Sequence, residues 1–276
     1  MAIAQSLDHF VVPVDDLVVA EEFYVQVFGG EITKRNGLNL RQRKRGAVPH
    51  TFIQIGGKRM GVYLQSDERP APIGARGLPT YSFTTTDRGL EEVTTTLNQL
   101  GASFEGPVND ANSFAKQSLF FTDPAGNHYS VYTPKDSSAA SGAATGRMTA
   151  VGYIELEAPD VEASIKFYQN VIGFEVKSRN VKLNQATLKM ASGQNLLLTE
   201  APFASKGLVM SRKVPGPHIA FYVAAANWPA AIERLEKLGI DNGDRGAAKE
   251  RTGDQGGTYM DDPAGYVIQF ITDGME

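Results

Sequence analysis

The side chains best suited to chemistry are few. HFVVPV (His9–Val14) and HIAFYV (His218–Val223) each set an imidazole at the head of a strand-like apolar stretch. An imidazole titrates near neutrality, so it can exchange protons, and its neutral ring binds divalent metals. Two other stretches, FFTDPAGNHYSVYT (Phe120–Thr133) and YMDDPAGYVIQFIT (Tyr259–Thr272), share the phrase Asp-Pro-Ala-Gly. Seven residues after the Asp, the first has Ser130 and the second Gln269, and His128 stands two residues before Ser130. Glu155 and Glu200 are candidate carboxylates, for proton abstraction or for a metal. There is no cysteine, which removes disulfides, thiolate metal sites and a Cys nucleophile together.

The elements that must position these groups come in repeats. Leu7–Ile32 aligns without a gap on Val151–Val176, setting Asp16 on Asp160, Phe23-Tyr24 on Phe167-Tyr168 and Gly29 on Gly173. The chain is a tandem duplication, and each half divides again. A strand is followed by a helix, with Asp15 and Asp16 as candidate caps in the first copy and Gly after the helix. TYSFTTT (Thr80–Thr86) precedes a helix with Leu90, Val93, Leu97 and Leu100 on one face, and HIAFYVA precedes one with Ile232, Leu235 and Leu238. The pattern predicts four copies of strand–helix–strand–strand–strand. Asp-Pro starts a tight turn and Gly accepts positive φ, so each DPAG is expected to be a hairpin turn before the last strand of copies two and four. Pro134–Thr149, rich in Ser, Ala and Gly, is a linker by composition.

Composition narrows the classes. With 276 residues, 42% hydrophobic and 21% charged, the chain can bury the cores of two ordinary domains. A net charge of −4 gives no electrostatic reason to bind nucleic acid. RQRKRG (Arg41–Gly46) is expected as a solvated loop, or as a lid drawing an anionic ligand. No signal peptide or membrane-spanning run is evident, and the absence of cysteine is compatible with a reducing compartment, so the cytoplasm is the expected location. A small-molecule ligand and a homodimer are the partners to expect.

The two FY-containing helices with their following Gly, the two DPAG turns and the four-module layout resemble the vicinal oxygen chelate superfamily. That superfamily includes glyoxalase I, fosfomycin- and bleomycin-resistance proteins, methylmalonyl-CoA epimerase and extradiol dioxygenases. The resemblance covers nearly the whole chain outside the linker. It implies an α+β fold of four βαβββ modules paired into two glyoxalase/dioxygenase-like domains, 1–133 and 150–276, joined by the linker 134–149.

In that family two modules share a curved sheet whose cup draws metal ligands from the first and last strands. With consecutive modules paired, the first cup presents His9, Thr80 and Ser130, with His128 on the same side. The second presents Tyr153, His218 and Gln269, with Glu155 and Tyr222 facing the same way by strand alternation. The family's usual Glu, seven residues beyond the Asp, is Ser130 in one copy and Gln269 in the other. A divalent metal, if bound, would therefore rest on His218, Gln269 and a carboxylate such as Glu200, whereas Thr80 and Ser130 argue against a tight site beside His9. RTGDQGG (Arg251–Gly257) stands where the dioxygenases have a further His, which counts against a ring-cleaver of the usual type. Each candidate has a plainer role: His9 and His218 as hydrogen-bonding wall residues, Gln269 as an orienting amide, Glu155 as the partner of a Lys or Arg. Two functions remain open. One is a lyase, isomerase or dioxygenase-like enzyme with His218 or Glu155 as base and an atypical or absent metal. The other is a non-catalytic protein that sequesters a drug or metabolite, as bleomycin-resistance proteins do. A third, structural role with filled cups is weaker.

Overall fold

The computed structural model describes residues 3–44, 48–64, 79–109, 115–136, 146–201, 217–243 and 256–272. Within them the strand–helix–strand–strand–strand order recurs four times. The first module is β1 (Ser6–Val14), α1 (Leu17–Phe28), β2 (Glu31–Asn36), β3 (His50–Ile55) and β4 (Lys58–Leu64), with a short α2 (Leu40–Lys44) after β2. The second is β5 (Thr80–Thr85), α3 (Asp87–Leu100), β6 (Phe104–Asn109), β7 (Ala115–Thr122) and β8 (His128–Pro134). The third is β9 (Met148–Ala158), α4 (Val161–Phe167), β10 (Glu175–Asn180), β11 (Gln185–Lys189) and β12 (Asn195–Glu200). The fourth is β13 (His218–Tyr222), α5 (Trp228–Lys237), β14 (Asn242–Gly243), β15 (Gly257–Asp261) and β16 (Val267–Ile271).

Local chemistry sets the helix ends. Asp16 caps α1 by accepting from the Val18 and Val19 amides at 2.8 and 3.1 Å, and Asp160 caps α4 through Ala163 at 2.9 Å. Gly29 and Gly173 close the same two helices with φ of 66° and 100°, a region open to glycine without strain. In the third module the helix finishes as a π turn over Tyr168–Ile172. Two expected faces shift. Leu100 is exposed at the end of α3, and α5 buries Ala231 and Leu235 while Ile232 is half-buried and Leu238 exposed. A single i, i+4 pair covers this short helix's contact. The basic run, expected as a loop, is helical over its described part, with no buried residue. Arg45 and Gly46 lie outside the described residues, as do residues 137–145 of the expected linker.

Strand order is β14-β15-β16-β13-β1-β4-β3-β2 in one eight-stranded sheet and β10-β11-β12-β9-β5-β8-β7-β6 in the other. This corrects the expected pairing of consecutive modules: one sheet joins modules one and four, the other modules two and three. Alternation tells which face a side chain turns to, but not which open strand edge it pairs with, and both arrangements bury the same faces. The chain divides into two compact units. One holds the described parts of Met1–Val11 and Glu155–Glu276, the other those of Val12–Gln65 and Pro72–Ile154. Among the described residues no helix is long and apolar enough to cross a membrane.

Each unit contains one Asp-Pro-Ala-Gly turn, and both are the expected hairpins, β7–β8 and β15–β16. Both aspartates are 4% exposed. Asp262 accepts from the Ala264 and Tyr266 amides at 2.9 and 2.8 Å, and from the Tyr168 hydroxyl at 2.9 Å. Asp123 accepts from the Asn127 amide at 2.8 Å and from the Tyr24 hydroxyl, which also meets Tyr129 at 2.9 Å. The FY helix and the DPAG turn are thus two halves of one buried anchor, which is why both phrases occur twice. Burial outweighs the donors at Asp262 and pushes its carboxyl up to about 6; it raises Asp123 as well.

Two outcomes follow from the anchor. Tyr168→Phe removes a donor from a buried carboxyl and should cost about 1–3 kcal/mol in urea unfolding; an unchanged midpoint would show that the bond contributes nothing. Asp262 binds its proton more tightly folded than unfolded, so its contribution is full below about pH 4 and is lost as pH rises through about 6. Stability of the natural protein relative to Asp262→Asn should therefore fall between pH 4 and 7, by on the order of 2–3 kcal/mol. A difference that is flat or rises with pH would contradict the assignment.

Candidate functional site

β1 runs antiparallel to β13, with His9 opposite Ala220 and Val11 opposite His218. β13 runs parallel to β16, with Ala220 beside Gln269, and Gln269 in turn faces Tyr259 across β15. His9, Ala220, Gln269 and Tyr259 therefore form one lateral row, and His218 sits two residues from Ala220 on the same face. The register of β1 shifts by one residue between Leu7 and His9. Neighbours on a regular strand point to opposite faces, so their side chains do not meet. The irregularity at Asp8 lets them: Asp8 Oδ1 lies 2.5 Å from His9 Nδ1.

The other nitrogen of His9, Nε2, lies 3.1 Å from Nε2 of His218. The rings are edge to face, 5.2 Å apart, and Tyr259 packs its ring against His218 at 5.4 Å. His9 and His218 are 2% and 5% exposed. His9 thus faces Asp8 with one ring nitrogen and His218 with the other. Gln269 is 1% exposed, and its Oε1 is buried with no hydrogen-bond partner among the described residues. A buried carbonyl oxygen without a donor costs free energy in the protein by itself.

The spacing of the two imidazoles fits a shared divalent metal. An ion about 2.1 Å from two imidazole nitrogens holds them roughly 3.0–3.4 Å apart, and they lie 3.1 Å apart. Among the described residues no cluster of three or more His, Cys, Asp and Glu side chains could hold a metal ion, so any third donor would have to be of another kind, such as the Gln269 amide.

The remaining candidates lie elsewhere. Ser130 Oγ meets Ser82 Oγ at 2.5 Å and the Tyr153 hydroxyl at 3.1 Å, and Tyr132 packs against Tyr153 at 5.6 Å. Thr80 and His128 are register partners two residues along from Ser82 and Ser130. This is a buried hydroxyl cluster: Ser130, Thr80 and Tyr153 stand on β8, β5 and β9, whereas His9, His218 and Gln269 stand on β1, β13 and β16 of the other sheet. Glu155 accepts from Thr199 at 2.8 Å on the sheet that excludes β13 and β16, and Glu200 is exposed at the end of β12. Neither joins the imidazoles. Tyr222 does share their face of β13 and is half-buried. Sequence reasoning missed Asp8, Ser82 and Tyr259. Strand alternation hides Asp8, because the bulge is invisible to it. A cleft of about 360 Å³ between α1, the end of α3 and Pro124 contains Asp123, already bonded to Tyr24 and Asn127, and no imidazole.

Family comparison agrees with this architecture. The Glyoxalase/Bleomycin resistance protein/Dioxygenase superfamily matches residues 6–131, and a glyoxalase-like domain family matches residues 153–271. The chain belongs to the vicinal oxygen chelate superfamily. A "putative dioxygenase" from Bacillus subtilis subsp. subtilis str. 168 superposes with a TM-score of 0.73 at 13% identity, over 99% of this chain and 86% of that one. Glyoxalase I from Zea mays superposes with a TM-score of 0.67 at 17% identity, over 96% and 92%. Such identities establish the shared fold and leave the reaction to be argued from the site. In this member of the superfamily the pairing of modules one and four unites two strand-head histidines and one post-DPAG residue.

Gln269→Leu tests whether the amide is there for stability. Replacing an orphaned buried oxygen with an apolar side chain of similar length should leave the melting temperature unchanged or raise it. A loss above about 2 kcal/mol would make Gln269 a structural residue.

Proposed function

We propose that this chain is a small-molecule enzyme of the vicinal oxygen chelate type, with His9, His218 and Gln269 as its reactive centre and as the holders of a divalent metal ion. The observation that carries this reading is the meeting of two buried Nε2 atoms at 3.1 Å, with Gln269 in the same row of the sheet and its buried amide oxygen without a partner among the described residues. A divalent ion bound there would supply Lewis acidity toward oxygen atoms of a small substrate. The protein's own part is to present two imidazole lone pairs, to add a neutral amide oxygen, and to limit ring rotation of His218 with Tyr259. Tyr222 is half-buried on the same face of β13. The reaction class is lyase or isomerase chemistry, since an amide in place of a carboxylate departs from the two-His-one-carboxylate set suited to iron and oxygen.

A second reading rests on the same distance. At 3.1 Å the two imidazoles can share a proton directly, and without metal one of them would serve as general base. Sequestration without catalysis would need neither arrangement.

Titration of chelator-treated protein with Co(II) or Zn(II) separates these. The metal reading expects one ion per chain, loss of affinity of at least about 100-fold in His218→Ala, and tighter binding in Gln269→Glu, which adds a negative charge to the donor set. Absence of any uptake by the natural protein and by Gln269→Glu would overturn it and leave the proton-sharing pair.

A further inference from the structure

A carboxylate, Asp8, stands directly behind the paired imidazoles. Asp8 is 10% exposed at its side chain and lies 2.5 Å from His9 Nδ1, on the far side of the ring from His218. Nothing in the strand pattern requires this contact; the register shift between Leu7 and His9 creates it. A bulge beside a functional site serves to re-aim a side chain, and here it turns an adjacent residue onto the same ring.

We infer that Asp8 is a positioning residue: it keeps the proton of His9 on Nδ1 and holds the lone pair of Nε2 toward His218. The geometry has two consequences. An ionised carboxylate only accepts hydrogen bonds, so Nδ1 must be the donor and Nε2 the bare nitrogen in neutral His9. A carboxylate bonded to a ligating imidazole also raises the ring's basicity and fixes its orientation, an effect worth 10–100-fold in metal affinity where it is lost. The metal-affinity part rests on the reading of His9, His218 and Gln269 as ligands; the tautomer part does not.

The test combines two measurements on the full chain with Asp8→Asn and Asp8→Ala. Asn keeps an acceptor for Nδ1–H but removes the charge, and Ala removes both. The first measurement is the ¹⁵N spectrum of the imidazoles in metal-free protein at neutral pH, with His9→Ala assigning the His9 signals. His9 should show a protonated Nδ1 and a bare Nε2 in the natural protein, and should lose that tautomer in Asp8→Ala. The second is Zn(II) affinity. It should fall by about 10–100-fold in Asp8→Ala and by less in Asp8→Asn. A natural protein that binds zinc, with Asp8→Ala binding as tightly and the His9 tautomer unchanged, overturns the inference and leaves the metal reading standing. If the natural protein binds no zinc, the metal reading falls, and the tautomer comparison alone decides whether Asp8 positions His9.

Discussion

β1 and β13 run antiparallel with Val11 opposite His218 and His9 opposite Ala220, and the candidate site follows from that register. Side chains on a strand alternate, so a slip of one residue would send one imidazole through to the helix-covered face. In the observed register two histidines from opposite ends of the sequence lie diagonally across the pair and meet at Nε2. Parallel pairing of β13 with β16 then places Gln269 beside Ala220, on the same face. Each of the three comes from the head or middle of a strand rather than a loop, which suits a site that must hold donors at fixed separation.

That register needs rigid modules behind it. In each unit a helix tyrosine, Tyr24 or Tyr168, reaches a buried aspartate, Asp123 or Asp262, at the mouth of a hairpin turn. The aspartate organises the turn through backbone amides, and the turn delivers the last strand of its module. In the fourth module that strand is β16, which bears Gln269. In the second it is β8, which bears Ser130. The two copies keep the same anchor and differ in the side chain they deliver: Gln269 is left with an open acceptor oxygen, while Ser130 is tied to Ser82 and Tyr153. One repeated scaffold thus presents one polar site and one closed hydroxyl cluster.

Much of this was legible in the sequence, for identifiable reasons. The repeat of Leu7–Ile32 in Val151–Val176, the capping aspartates and the DPAG turns are local signals, and they specify modules, helix ends and hairpins. Alternation correctly turned His218, Ala220 and Tyr222 to one face. Pairing between modules was not legible, because the edges of β1, β5, β9 and β13 are chemically similar and no local residue names a partner. That is why His9 was expected beside Ser130, and His218 beside Tyr153. Glu155 and Glu200 were attractive as carboxylates by residue type, but their strands belong to the sheet without β13 and β16. Asp8 was hidden because a bulge breaks the period on which the reading depends.

The proposed metal site has His9 and His218 sharing one ion. Anomalous X-ray scattering at the cobalt edge, from crystals of the full chain grown with Co(II), tests this most directly. A single strong peak within bonding distance of both Nε2 atoms and of Gln269 Oε1 is the expected result. A map with no peak there, and with the two imidazoles still in direct contact, would contradict it.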